Sequence, residues 1–105
     1  MSWIYLIIAS LFEIGWPLGF KISQTMPSKI GGITLAILSM AMSGLFLYMA
    51  QKTIPIGTAY AVWTGIGAVG TLTIGILFFG DSASLWRIIS AFFIVVGIVG
   101  LKLAH

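Results

Sequence analysis

One acidic residue, Glu13, lies within an otherwise uncharged apolar stretch that reads WIYLIIASLFEIGWPLGF over residues 3–20. A carboxylate inside a bilayer costs about 3 kcal/mol or more, so a chain keeps one there for a use. A carboxylate in such a setting can bind a proton and a cation in turn. We therefore predict that Glu13 is the working residue of this protein.

The helical neighbours of Glu13 could complete a binding site. Residues three and four positions apart share a helix face, which here brings together Ser10, Glu13, Trp16 and Pro17. The Ser10 hydroxyl or the Trp16 indole could donate to the carboxylate. Pro17 removes the backbone hydrogen bond to the Glu13 carbonyl and is expected to bend the helix end. Alternatively, Glu13 makes a structural contact that only fixes how the helices pack.

A second face carries aromatic groups in the third apolar stretch, where helical spacing aligns Tyr60, Trp63, Thr64 and Gly67. Aromatic faces attract cations, by about 2 kcal/mol or more when the cation is desolvated. Tyr60 is near the start of the stretch and could instead belong to an interfacial aromatic belt. Trp63 lies deeper, where a belt explains it less well.

The same stretch contains the pattern GxGxxG at Gly65, Gly67 and Gly70. This pattern binds dinucleotides only within a βαβ unit, and no such unit surrounds it here. Glycines in a membrane helix let neighbouring helices approach closely and weaken the helix locally. We predict that this segment is a hinge for switching access to the site.

The elements that must position these residues are membrane helices. The 105 residues are 60% hydrophobic and 7% charged, and their mean hydropathy is +1.17. Strand-like alternation is absent from the apolar runs, which leaves helices as the spanning structure. We predict an all-α membrane protein with a single four-helix transmembrane domain over residues 1–105. Its helices are expected at about 3–20, 30–50, 57–79 and 85–101.

The basic residues give the chain little preference for one orientation in the membrane. Four spans place both termini on one side, which carries Lys52 and Lys102, while Lys21, Lys29 and Arg87 lie on the other. By the positive-inside rule, so weak a bias allows insertion both ways. Transporters often build a midplane site between inverted repeats. A second copy inserted upside down would supply the half that this chain lacks.

The remaining polar residues offer little cofactor or metal chemistry. Cysteine is absent, and the single histidine, His105, is predicted to be a solvated tail residue. Residues 22–29 are predicted to form the first polar turn, and Asp81 is expected to lie in water or to cap the fourth helix. The pI is near 9.6, and the five basic residues that raise it are predicted to be interfacial anchors rather than a nucleic-acid-binding surface. No cofactor and no metal are expected.

The fourth apolar stretch carries small residues and no polar group deep in the span. Ser90 and Gly97 fall on one helix face, with Gly100 nearby. A seam of small residues suits close pairing with another helix. We predict that Ser90, Gly97 and Gly100 pack a dimer.

Three segments together resemble the small multidrug resistance family over the entire chain: the Glu13-x-x-Trp16 pattern, PIGTAYAVWTGIGA at 55–68 and GIVGLK at 97–102. Within that family they resemble the guanidinium-exporter branch. The resemblance implies an antiparallel homodimer in a bacterial inner membrane that exchanges a substrate cation for protons by alternating access. Glu13 of both subunits would bind the proton or the guanidinium. The side chains implied to line the site are Trp16, Ser43, Tyr60 and Trp63.

Two residues depart from that branch, where a glycine is usual at the position of Ser10 and an alanine at that of Pro17. Ser10 would add a hydroxyl to the lining of the site, one turn from Glu13. The substrates could then include substituted guanidines or hydrophobic cations. Two alternatives stay open: a broad-range exporter of quaternary ammonium or hydrophobic cations, and a non-transporting membrane subunit that requires a paired sister protein. An enzyme is not expected, because one membrane carboxylate offers no catalytic pair.

Overall fold

Four helices make up the chain in the computed structural model, which describes residues 2–25, 27 and 29–104. They are α1 (Ser2–Thr25), α2 (Lys29–Ala50), α3 (Ile56–Phe78) and α4 (Leu85–Ala104). The described residues contain no strand. Each helix is long and apolar enough to cross a membrane. The predicted all-helical membrane fold is confirmed.

The first helix is longer than predicted and takes up the start of the predicted polar turn. α1 continues through Pro17 and ends at Thr25, whose hydroxyl donates to the Lys21 carbonyl at 2.7 Å. A threonine hydroxyl that bonds one turn back leaves the helix intact. Other predictions for the turn and the tail fall on residues outside the described part of the chain: Met26, Ser28 and His105.

Close backbone approach holds α1 against α2. A methyl group on Gly19 would come 2.5 Å from the Gly32 carbonyl oxygen and 2.7 Å from the Ala36 nitrogen. Only glycine leaves room for two helix backbones at this separation. Gly15 meets the side chain of Ser39 in the same way. This packing fixes the face that α1, and therefore Glu13, turns toward the other helices.

The buried core lies at the end of the bundle where the beginning of α1 meets the connector between α2 and α3 and the end of α4. Its fully buried residues are Leu6, Ala50, Ile54, Ala59 and Val62. At this end the Ser2 hydroxyl bonds to the Thr53 hydroxyl, and the Lys102 Nζ lies 5.1 Å from the centre of the Trp3 ring. The chain therefore crosses four times and returns to the side on which it begins.

The last helix is peripheral. Among the described helices α4 has backbone contacts only with α3, Lys102 alone being placed over Trp3 of α1, and none of its residues is buried. It approaches α3 at Gly65, where a methyl group would come 2.9 Å from the Ile98 Cδ1 atom. An added Cβ at Gly97 or Gly100 would meet no atom within 4 Å. The face of α4 that carries these two glycines is open.

Candidate functional site

Glu13 is half-buried on α1 and accepts a hydrogen bond from the Trp16 Nε1 atom at 2.6 Å. The Trp16 ring meets the Phe20 ring edge to face, with ring centres 5.7 Å apart. A carboxylate has about four acceptor positions, so one indole leaves most of them free. No described lysine or arginine forms an ion pair with Glu13. The carboxylate therefore has an aromatic donor but no ion-pair partner among the described residues.

The backbone of α3 sets the position of the Glu13 side chain. A methyl group on Gly67 would come 2.5 Å from the Glu13 Cγ and 3.3 Å from its Cβ. An added Cβ on Gly70 would likewise overlap the Ile14 side chain. α3 continues unbroken through these glycines. In this structure Gly67 and Gly70 allow α1 and α3 to pack closely. The hinge role of Gly65, Gly67 and Gly70 stays a prediction.

Glu13 opens onto a cavity of about 360 Å³, here called the aromatic cleft. Its lining residues come from three helices and are Glu13, Trp16, Met40, Gly44, Leu47, Tyr60, Trp63 and Thr64. The Tyr60 and Trp63 ring centres are 5.5 Å apart, with their planes inclined by 51°. The structure thus brings together the acid of α1 and the aromatic pair of α3 that the spacing singled out.

Ser43 holds one wall of the aromatic cleft in place. Its buried hydroxyl accepts from the Trp63 Nε1 atom at 2.8 Å and donates to the Ala9 carbonyl at 2.7 Å. This relay ties α3 to α2 and to the turn of α1 that precedes Glu13. Through these two hydrogen bonds Ser43 orients the Trp63 ring at the wall of the aromatic cleft.

Ser10 lies apart from the cleft, in contrast to its expected place in the lining. Its hydroxyl donates to the Leu6 carbonyl at 2.7 Å, and the residue is fully buried. A hydroxyl within an apolar helix satisfies itself on the carbonyl one turn earlier. Of the two donors considered for Glu13, this structure uses Trp16.

A second cavity, here called the α1–α3 cleft, starts at Glu13 and Thr64 and leads away from the aromatic cleft. It has a volume of about 440 Å³. Its lining residues run from the middle of the bundle to the connector between α3 and α4: Glu13, Pro17, Thr64, Gly67, Ala68, Thr71, Leu72, Asp81 and Arg87. Glu13 therefore lies where two clefts join.

Some lining residues were missed from the sequence. Met40, Gly44 and Leu47 line the aromatic cleft, and together with Ser43 they follow helical spacing along α2. That spacing places them on the same helix face as Ser43, but they carry no charged or aromatic side chain that would indicate a binding role from the sequence. The described residues contain no group of three His, Cys, Asp or Glu side chains suited to holding a metal ion.

Comparison with known proteins shows the family. Residues 1–96 match the family model described as Small Multidrug Resistance protein. The chain belongs to the small multidrug resistance family. Similar proteins include the "Guanidinium exporter" of Yersinia pseudotuberculosis serotype I, which is 51% identical over 104 residues covering 99% of each chain. That of Salmonella typhimurium strain LT2 is 49% identical over 99% of this chain and 98% of its own.

A third relative, the "Guanidinium exporter" of Proteus vulgaris, is 48% identical over 99% of each chain. The predicted family is therefore confirmed. This small multidrug resistance protein is a multi-pass membrane protein, and in a bacterium its membrane is the inner one.

Proposed function

We propose that this small multidrug resistance protein is a proton-coupled antiporter that exports guanidinium-type cations by alternating access. Relatives about half identical over nearly the full chain are named guanidinium exporters. That naming supports a transporter rather than an enzyme. The observation that carries the proposal is the half-buried Glu13 carboxylate, which is held by the Trp16 indole at the junction of two clefts.

The unpaired charge of Glu13 suits exchange of a proton for a cation. No described basic side chain forms an ion pair with it, and a carboxylate without such a partner is costly inside a membrane. Either a proton or a bound cation removes that cost. Because both neutralise the same group, binding of one favours release of the other, which is the requirement for antiport.

Guanidinium matches the site in shape and in hydrogen bonding. It is planar and rich in N–H donors, and it pairs with carboxylates through two parallel hydrogen bonds, as an arginine head does. The acceptor positions that Trp16 leaves free on Glu13 are available for such a pair. The Tyr60 and Trp63 rings provide aromatic faces beside it.

The proposed working unit is an antiparallel homodimer. α4 has no buried residue in the single chain, and its Gly97 and Gly100 face open space. A second copy packed on that face would cover it, with Ser90 in the same seam. The weak bias of basic residues allows that copy to insert upside down. The pair would then hold two Glu13 carboxylates, one from each subunit.

Electrogenic transport by the purified protein in liposomes tests this function. Currents on a solid-supported membrane are compared for guanidinium, a substituted guanidine and a small quaternary ammonium, with and without a proton gradient. We expect currents for the guanidines that the proton gradient drives. Currents of equal size for the quaternary ammonium would favour the broad-range exporter. Silence for all three cations would overturn the proposal and favour a subunit that needs a sister protein.

The orientation of the chain is tested separately. Reporter fusions at the C-terminus should find the protein in both orientations in a bacterial membrane. A single orientation would rule out the antiparallel homodimer.

A further inference from the structure

We propose that Asp81 forms an outer cation site at the mouth of the α1–α3 cleft, through which the cation reaches Glu13. This inference rests on the proposed function, because it assumes that a guanidinium-type cation is the substrate. Asp81 is the only acidic residue besides Glu13 in the 105-residue chain.

Asp81 and Glu13 line one continuous path. Both acidic residues line the α1–α3 cleft. A smaller adjoining cavity, of about 210 Å³, shares Pro17, Thr71 and Asp81 with it and extends to Lys21. The path therefore runs between α1 and α3 from the middle of the bundle to the connector that precedes α4.

The fold holds the Asp81 carboxylate against the path. Gly80 has a φ of 72°, a left-handed conformation that favours glycine, and it turns the chain back after α3. The Asp81 backbone N–H then donates to the Gly75 carbonyl at 3.0 Å. The Asp81 carboxylate lies against Gly75, where the Cβ of any other residue would overlap it. Two glycines thus fix an acidic side chain at the mouth of the cleft.

The Asp81 carboxylate forms no ion pair with a described basic side chain. Lys21 lines the smaller cavity and Arg87 the larger one, yet no described ion pair involves Asp81. The Arg87 Nε atom is itself buried without a hydrogen-bond partner. The C-terminal end of α3, beside Asp81, also carries the negative end of the helix dipole, which favours cations. Without Asp81, the charged side chains at the mouth would be Lys21 and Arg87, and both would repel a cation.

A hydroxyl lies between the two carboxylates. Thr71 lines both cavities, and its side chain makes no hydrogen bond within the described part of the chain. The Thr71 hydroxyl can accept a hydrogen bond from an N–H group of a guanidinium that moves along the cleft. Thr73, two residues along α3, differs because its hydroxyl donates to the Val69 carbonyl at 2.8 Å. The two threonines form a matched pair for mutation.

In the proposed antiparallel dimer, the outer site would occur on both sides of the membrane. Asp81 lies in the connector after α3, so each copy presents it at one membrane face only. An inverted copy presents its own Asp81 at the opposite face. The same side chain would then serve cation entry on one side and release on the other.

Transport currents measured against guanidinium concentration test the outer site. We expect Asp81→Asn to raise the half-saturating concentration about threefold to tenfold at low salt, since a nearby charge shifts affinity by this order. The maximal current should stay within about twofold, because Glu13 is unchanged. Asp81→Glu should restore the wild-type value, and Arg87→Gln should lower the half-saturating concentration.

The salt dependence separates an electrostatic role from a structural one. Raising salt from about 0.02 M to about 0.5 M shortens the Debye length from roughly 20 Å to roughly 4 Å. The difference between wild type and Asp81→Asn should shrink over this range. Thr71→Val should also raise the half-saturating concentration, whereas Thr73→Val should leave it unchanged.

Each outcome bears on a different claim. A silent wild type contradicts the proposed function itself. An active wild type with an unchanged half-saturating concentration in Asp81→Asn overturns the outer site. If Asp81→Asn fails to assemble, the wild-type salt series and Asp81→Glu decide instead: a salt-independent half-saturating concentration, or loss of activity in Asp81→Glu, overturns the outer site.

Discussion

Replacing Gly67 with alanine should displace Glu13 from its place against α3. The new Cβ would come 2.5 Å from the Glu13 Cγ, whereas carbon atoms in contact lie about 3.5 Å apart or more. Either the Glu13 side chain or α3 must therefore move by about 1 Å. The nearest atoms belong to the inner part of the side chain, so a rotation of the carboxylate alone does not relieve the overlap.

The size of the effect follows from the cost of overpacking. Forcing a methyl group into a packed contact costs about 1–3 kcal/mol. If that strain falls on the cation-bound state, the half-saturating guanidinium concentration rises about fivefold to 150-fold. Guanidinium-driven currents in liposomes measure this concentration, and size-exclusion chromatography confirms that the variant assembles like wild type.

Gly44→Ala is the matched control for this experiment. Gly44 lines the same aromatic cleft, but an added Cβ there meets no atom within 4 Å. We expect this variant to bind guanidinium like wild type. If Gly67→Ala and Gly44→Ala have the same half-saturating guanidinium concentration, the contact between α3 and Glu13 does not position the carboxylate.

Three further predictions concern residues around the site. Ser43→Ala removes the hydrogen-bond acceptor of the Trp63 indole. The half-saturating guanidinium concentration should rise about fivefold, which corresponds to the loss of one hydrogen bond. An unchanged value would show that Ser43 does not contribute to the site. Ser10→Ala should change that concentration by no more than about twofold, because Ser10 is fully buried and lines neither cleft. A larger change would show that Ser10 belongs to the site. Gly97→Leu should convert the dimer to monomers in light scattering, whereas a stable dimer would contradict pairing through α4.

The sequence was sufficient to predict the helices, and it offered the Trp16 indole as one of the possible donors to Glu13. Four apolar stretches correspond to the four helices, because only helices satisfy the backbone of a chain this apolar in lipid. The three-residue spacing of Glu13 and Trp16 correctly offered the indole as a donor. Local helix geometry fixes such neighbours without reference to the rest of the fold.

Contacts between helices were harder to predict. A lipid-facing surface is as apolar as a buried one, so hydrophobic periodicity does not show which face of α2 or α3 turns inward. The Ser43 relay to Ala9 and the α2 lining at Met40 depend on that rotation. Ser10 had two helical options, its own backbone or Glu13, and sequence spacing alone did not distinguish them. The antiparallel pairing stays a prediction.

The exchange of a proton for a cation at Glu13 is best measured with Glu13→Gln in reconstituted liposomes. The amide keeps the shape of the side chain but removes its charge and its ability to bind and release a proton. We predict that guanidinium currents driven by a proton gradient disappear while the protein still assembles as the wild type does. Proton-driven guanidinium transport at the wild-type rate in this variant would show that Glu13 does not couple the movement of protons to that of guanidinium.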